Sequence, residues 1–366
     1  MVQQESPIIN MASTFQHLTF LIIIIFCASS TAVDLSYPAV FNFGDSNSDT
    51  GNLVAGMADH LEPPNGQTYF QKPSGRFCDG RLIIDFLMDA MDLPLLNPYL
   101  ESIAAPIFRS GCNFAAAGAT TLPPTPHSVC PFSFKIQVAQ FLRFKAKAVD
   151  ILTKSRRLDK YLPAQDYFQK ALYMFDIGQN DLVGAFYSKT FDKVLASIPI
   201  TLSVFEEGIQ TLYDEGARDF WIHNTAPLGC LPQNIAKFGR DALKLDELGC
   251  GQYQDANVTY VDIYTIKSNL IANYSRYGFE HALMACCGYG GPPLNYDIRV
   301  PCGETKAVNG TSVTAKGCND TTEYINWDGI HYTEAANQYV ASQILTGKYS
   351  DPPFADKMPF LLKLKF

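Results

Sequence analysis

The chain is poor in positive charge: 28 Lys and Arg face 36 Asp and Glu, for a formal net charge of −8. No basic stripe is available to neutralise phosphates, which excludes a nucleic-acid partner and a polybasic hold on a membrane surface. Charged residues make up only 17% of the sequence against 47% hydrophobic, the balance of a globular protein with a substantial core. Tryptophan is scarce, with 2 residues, whereas 25 Phe and 19 Tyr carry the aromatic content. Internal repeats and low-complexity linkers are missing, which favours one domain over two for 366 residues. No stretch reaches membrane-spanning length. The apolar run Leu18–Ala28 has 11 residues, so no stable membrane insertion is expected.

That run has the form of an export signal. Ile22–Ile25 make its centre and Ser30-Thr31-Ala32 fits a cleavage site, so 1–32 reads as a signal peptide and 33–366 as the mature domain. No Lys or Arg precedes the run, and Met11 gives a tidier start, so residues 1–10 read as an upstream extension. Cysteine usage agrees with export. Beyond Cys27 nine remain: Cys78, Cys112, Cys130, Cys230, Cys250, Cys286, Cys287, Cys302 and Cys318. Their spacing matches no zinc pattern, and the odd count leaves at least one thiol unpaired. Disulfides are expected late in the chain, with connectivity open; neither metal nor cofactor is expected. Sequons begin at Asn257, Asn273, Asn309 and Asn319, which predicts a glycan-bearing C-terminal third. The sum is a secreted, extracellular or cell-wall protein, with the vacuole as the other destination.

Short apolar segments at Ala39–Phe43, Gly111–Ala115, Ala171–Asp176, Asp219–His223 and Val258–Asp262 read as buried strands. Helical patterns lie between and after them, over Arg81–Met91, Ile136–Phe144, Phe191–Tyr213 and Thr333–Leu345, the last with Thr333 as N-cap. Alternating strand and helix predicts α/β architecture, a parallel sheet covered on both faces. The tail 347–366, apolar at Met358–Phe366, is expected to pack against the domain.

Four polar blocks interrupt this pattern. The first strand breaks at Gly44 into a turn presenting Ser46, where open α/β sheets place reactive groups. Asn113–Gly118 and Gly178–Asp181 follow other strands, and Asp328-Gly329-Ile330-His331 precedes the last helix. Ester hydrolysis needs a nucleophile, a base, a carboxylate to orient the base, and donors for the oxyanion. Ser46 supplies the hydroxyl, His331 the base and Asp328 the carboxylate. Three residues apart, Asp328 and His331 can share one turn. Of the six histidines, His17 falls in the leader, His127 has no acidic neighbour within four residues, and those of His60 (Asp59, Glu62) and His223 (Asp219) lie outside the four blocks. His281 has only Glu280. The oxyanion donors are expected to be the N–H of Ser46, the N–H of Gly118 and the side-chain amide of Asn180. Glycine suits the second, because the backbone must approach the substrate with no Cβ in the way. Asp45 and Asp49 read as turn residues.

These blocks carry a resemblance. Phe43–Asn52, Gly111–Ala119, Asp176–Asp181 and Trp327–Thr333, in that order, resemble the plant GDSL esterase/lipase family of the SGNH hydrolase superfamily. Trp221–Cys230 and Ala285–Gly291 further resemble the branch holding early-nodulin-like esterases and proteins labelled α-L-fucosidase. The resemblance implies a three-layer α/β/α sandwich of the SGNH/flavodoxin-like kind. It also implies a Ser46–His331–Asp328 triad, Gly118 and Asn180 as oxyanion donors, and a small-molecule or lipid ester as substrate, acted on by a monomer. Two departures stand out. Tyr332 replaces the proline common after the histidine. Near residues 250–251 a crossover helix is expected to be lost, since Cys250 runs almost directly into the strand at Val258. Losing about 400 Å² of apolar burial forfeits roughly 10 kcal/mol, comparable to a domain's whole stability margin. Two alternatives to the esterase follow: a fucosidase-like glycosidase using paired carboxylates, or a non-catalytic or inactive variant lacking that helix.

Overall fold

The computed structural model describes residues 36–126, 128–238 and 257–351. The chain runs β1 (Val40–Gly44), α1 (Asn52–Met57), α2 (Ile83–Ala90), β2 (Gly111–Asn113), α3 (Phe134–Lys154), α4 (Tyr167–Lys170) and β3 (Leu172–Asp176). It continues through α5 (Gln179–Ser188), α6 (Phe191–Asp214), β4 (Asp219–His223), α7 (Pro232–Phe238), β5 (Asn257–Val261), α8 (Ile263–Ala272) and β6 (His281–Ala285). Last come β7 (Thr305–Val308), β8 (Thr311–Thr314), β9 (Tyr324–Asn326), α9 (Glu334–Leu345) and β10 (Ser350–Asp351).

Every residue of β1 and β3 is buried, which only a sheet covered on both faces permits. Alternation then sorts the side chains. Val40, Leu172, Met174 and Trp221 turn to one face, against Phe86 of α2, Ile266 of α8 and Val340 of α9. Phe41, Phe43, Tyr173 and Phe175 turn to the other, against Phe141 of α3 and Leu212 of α6. This second layer absorbs much of the Phe-rich composition: Phe41 stacks on Phe168 at 5.3 Å, and Phe43 on Phe175 at 5.2 Å. The result is the expected α/β/α sandwich.

The sheet has the order β2-β1-β3-β4-β5 in parallel, with β10 antiparallel on the β5 edge. That is the doubly wound order whose switch point lies between β1 and β3, where ligands bind beyond the carboxyl ends of the strands. Ser46 follows β1 by two residues and Asn180 follows β3 by four, so both stand at that rim.

The five expected strands lie within a residue or two of their predicted bounds. The second ends at Asn113, whose side chain takes the Ala115 N–H at 3.0 Å, while Phe114 and Ala116 N–H still donate to the Asn42 and Gly44 carbonyls at 2.8 and 3.1 Å. The tail supplies β10 through Ser350 and Asp351. Its residues from 352 on, the leader, and the expected loss of a helix near 250–251 lie outside the described residues. The late disulfides are present as Cys286–Cys318 and Cys287–Cys302. Cys78, Cys112, Cys130 and Cys230 are free among the described residues.

Phe41 is fully buried between α3 and α4. Phe41→Ala is expected to lower the unfolding free energy by about 3–5 kcal/mol in urea melts followed by circular dichroism. A loss below about 1 kcal/mol would remove the aromatic layer as the chief support of β1.

Candidate active site

The serine turn is built by hydrogen bonds that converge on the end of β1. Gln137, from α3, accepts from Gly44 N–H at 2.9 Å and donates Nε2 to the Gly44 carbonyl at 2.8 Å, completing both backbone partners of that residue. A Cβ at position 44 would lie 2.5 Å from the Asp176 carbonyl, so glycine is required for the close approach of β1 to β3. Asn113 donates to the Ser48 carbonyl at 2.6 Å and to Thr50 Oγ1 at 2.9 Å, while its own Oδ1 accepts from Asn42 at 2.9 Å. Asn52 donates to the Asn113 and Ala115 carbonyls at 2.8 and 2.7 Å. The turn is thereby sewn to β2 and the loop beyond it.

Asp49 and Asp181 fix the oxyanion side. The Asp49 carboxylate accepts from the N–H groups of Gly51, Asn52 and Leu53, and from Ala117 N–H at 2.7 Å. That last bond sets Gly118 against the serine turn. Asp181 accepts from Thr121 and Leu122 N–H at 2.7 and 2.9 Å, tying the same loop to α5. Asn180 donates Nδ2 to the Ala119 carbonyl at 2.9 Å, which leaves its second amide hydrogen available. Gly118 adopts φ +75°, a left-handed conformation natural to glycine. Neither the Ser46 nor the Gly118 N–H donates to another protein group among the described residues.

The triad loop comes from the opposite end of the chain. β9 pairs in parallel with β6, and the loop folds back so that Trp327 N–H donates to the His331 carbonyl at 2.8 Å. Buried Trp327 packs against the disulfide-bonded Cys286 and Cys287 and donates Nε1 to Asn65 at 2.9 Å. Asp328 Oδ1 accepts from the N–H groups of Ile330 and His331, and Oδ2 lies 2.6 Å from His331 Nδ1. Gly329 has φ +94°, and a Cβ there would meet the Tyr296 ring at 2.3 Å. Burial opposes ionisation of Asp328, yet the His331 ring and the two N–H donors hold its carboxyl below the usual range. With that carboxylate ionised, Nδ1 carries the ring proton and Nε2 is the base.

Ser46 and His331 line one depression with Asn47, Phe77, Leu82, Tyr332 and Asn337. No hydrogen bond joins Ser46 Oγ to His331 Nε2 among the described residues; such contacts commonly tighten only when substrate binds. Sequence reasoning missed Gln137 altogether, for a lone glutamine on a helix gives no signal. Asp45 and Asp49, read as turn residues, are both fully buried. Burial, reinforced by Asp176, pushes Asp45 up to about 7, against the Asn47 hydrogen bonds and the nearby His331. Burial likewise pushes Asp49 up to about 6 despite its N–H donors. His223 lies 3.7 Å from Asp176, a partner 47 residues away in sequence. Glu280, His281 and Glu323 bring ligand atoms within 4.8 Å of one another, but they line no part of the Ser46 depression.

Residues 40–344 match the family model described as GDSL-like lipase/acylhydrolase. The chain belongs to this family. A GDSL esterase/lipase of Arabidopsis thaliana is 59% identical over 400 aligned positions, covering 95% of this chain and 98% of that protein. A second from the same plant is 53% identical over 348 positions, covering 88% and 92%. GDSL esterase/lipase ENOD8 of Medicago truncatula is 42% identical over 371 positions, covering 92% and 94%. The family and branch resemblance read from the motifs is borne out. The first alignment is longer than the 366-residue chain, so that relative carries residues with no counterpart here.

The buried Asp45 makes stability depend on pH. Its carboxyl binds a proton more tightly in the folded chain, about 7, than in an unfolded one, about 3.9. Its contribution is full below about pH 4 and is lost as pH rises through about 7. Asp45→Asn is expected to gain on the wild type progressively across that window in urea melts. A stability difference constant with pH would refute the shift.

Proposed function

We propose that the protein is a secreted serine hydrolase that cleaves carboxylic esters through an acyl-enzyme on Ser46. The observation that carries this reading is the shared depression of Ser46 and His331, with Asp328 Oδ2 2.6 Å from His331 Nδ1. The quoted relatives, all named esterase/lipase, support the same reaction class. Ser46 Oγ attacks the ester carbonyl carbon while His331 Nε2 takes its proton, and Asp328 stabilises the imidazolium. The Ser46 and Gly118 N–H groups and the free hydrogen of the Asn180 amide hold the oxyanion. Collapse expels the alcohol, protonated by His331; water then adds by the same route and releases the acid. The glycosidase alternative finds no support among these relatives.

Secretion rests on the apolar leader, the two disulfides and the sequons. Asn273, Asn309 and Asn319 are exposed, Asn309 at the tip of the β7–β8 hairpin, as glycan attachment requires. Among the described residues no helix is long and apolar enough to cross a membrane. The substrate is a small or lipid ester, and the enzyme works as a monomer on one domain, 33–366.

A fluorophosphonate probe is expected to label the wild type at Ser46. Ser46→Ala should abolish labelling and cut p-nitrophenyl butyrate turnover by about a thousandfold or more, with His331→Ala comparably impaired and the double variant hardly worse. A folded wild type that stays unlabelled and inactive sinks the proposal in favour of an inactive variant.

A further inference from the structure

Strand register sets ionisable groups side by side beneath the serine turn. Gly44 pairs with Asp176 and Phe175 with Ile222, which puts Asp176 beside His223 at the ends of β3 and β4. Asp45, whose N–H donates to the Asp176 carbonyl at 3.0 Å, completes the row. All three are buried. Toward the same face α8 directs Lys267, only 1% exposed among the apolar Ile263, Ile266 and Leu270. Its Nζ sits 4.0 Å from the centre of the Tyr332 ring, next in sequence to His331.

A lysine is almost never fully buried without a counter-charge, since burying an isolated ammonium costs several kcal/mol. Burial lowers the Lys267 pKa, and the fields of Asp176 and then Asp45 oppose that. Asp45 Oδ2, both ring nitrogens of His223 and Tyr332 OH have no hydrogen-bond partner among the described residues.

We propose that Lys267 is a positioning residue for the hydrolysis: its buried ammonium is the counter-charge that lets Asp45 and Asp176 stand together beneath Ser46, and it thereby holds the serine turn in shape. This rests on the reading of Ser46 as nucleophile. The link to the turn is Asp45 Oδ1, which accepts from Asn47 N–H at 3.0 Å and Asn47 Nδ2 at 2.8 Å, bracketing Ser46. An ionised acceptor holds these bonds more strongly than a protonated one. Without Lys267, Asp45 faces Asp176 with His223 and His331 as the remaining basic groups, and it takes up a proton more readily.

Other titratable groups around the cluster do not replace the lysine. Cys130 feels the Asp45 charge, and Cys230 lies near Tyr332. On the elements packed against α8, Glu334 of α9 is engaged by Arg81 at 2.8 Å, and the Tyr339 ring lies tilted against Tyr277 at 4.6 Å. The His281 ring of β6 lies tilted against Tyr324 at 4.3 Å, and Arg276 beyond the end of α8 is exposed.

The test is the pH profile of p-nitrophenyl acetate hydrolysis, together with the fluorophosphonate labelling rate. Lys267→Met is expected to move the acid limb of kcat/KM up by about one pH unit, costing about tenfold below the limb, through kcat rather than KM. Lys267→Arg should keep the wild-type limb. Lys267→Met combined with Asp45→Asn should lose the displacement, because the group that gains the proton is gone. A folded Lys267→Met with a wild-type limb overturns the inference, as does a displacement that survives in the double variant. If Lys267→Met does not fold, a folded Lys267→Arg with a displaced limb overturns it equally. A wild type that is neither labelled nor active removes the esterase reading instead.

Discussion

Asp49 takes hydrogen bonds from the N–H groups of Gly51, Asn52 and Leu53 on its own turn, and from Ala117 across the rim. That carboxylate joins the turn that begins with Ser46 to Ala117, the residue before Gly118. Neither segment is regular structure, so neither could hold its N–H direction alone. Asn113, Asn52 and Gln137 reinforce the same joint with side-chain amides, each offering donor and acceptor in a fixed plane. Preorganised donors stabilise a developing oxyanion without reorganising during the reaction. The polar clamp supplies that rigidity, and the aromatic layer behind β1 keeps the clamp from shifting.

The same clamp is costly. Asp45 and Asp49 are fully buried, and burial drives both carboxyls upward, to about 7 and about 6. Near neutral pH their ionisation works against folding. A sequence selected for stability alone would replace such groups with apolar residues of similar volume. Their presence at the rim beneath Ser46, with Lys267 as the buried cation, is what a site looks like when geometry outweighs stability. By contrast, the Asp328–His331 pair sits on a local turn and holds its carboxylate below the usual range, so the orienting acid stays ionised with little help from elsewhere.

Placement of the five parallel strands was legible because the strands of a doubly covered sheet are short and continuously apolar, as at Val40–Phe43 and Leu172–Phe175. The small elements were not. β6, β9 and β10 are partly exposed or very short, and they pair with segments far off in sequence, so no periodicity announces them. Ser46, Asp328, His331 and Gly118 stood out because each lies in a glycine-containing turn beside a regular element, and Asn180 because it opens α5 right after Gly178. Gln137, Lys267 and His223 did not, for each sits inside a helix or at a strand end. There, only the three-dimensional register reveals what its polar group faces.

Topology explains why the reacting groups split as they do. The nucleophile must stand at the switch point, which only the turn after β1 reaches. The base must approach from above the rim, and the parallel order leaves no central strand to bring it there. The chain instead adds the small β6–β9 pair outside the main sheet, pins it with the disulfides of Cys286 and Cys287, and lets the loop before α9 lean over Ser46. A base carried outside the main sheet arrives with its carboxylate already attached, since a second long-range placement would need another fixed joint. That is why Asp328 and His331 lie three residues apart, while the serine they serve comes from the first strand of the sheet.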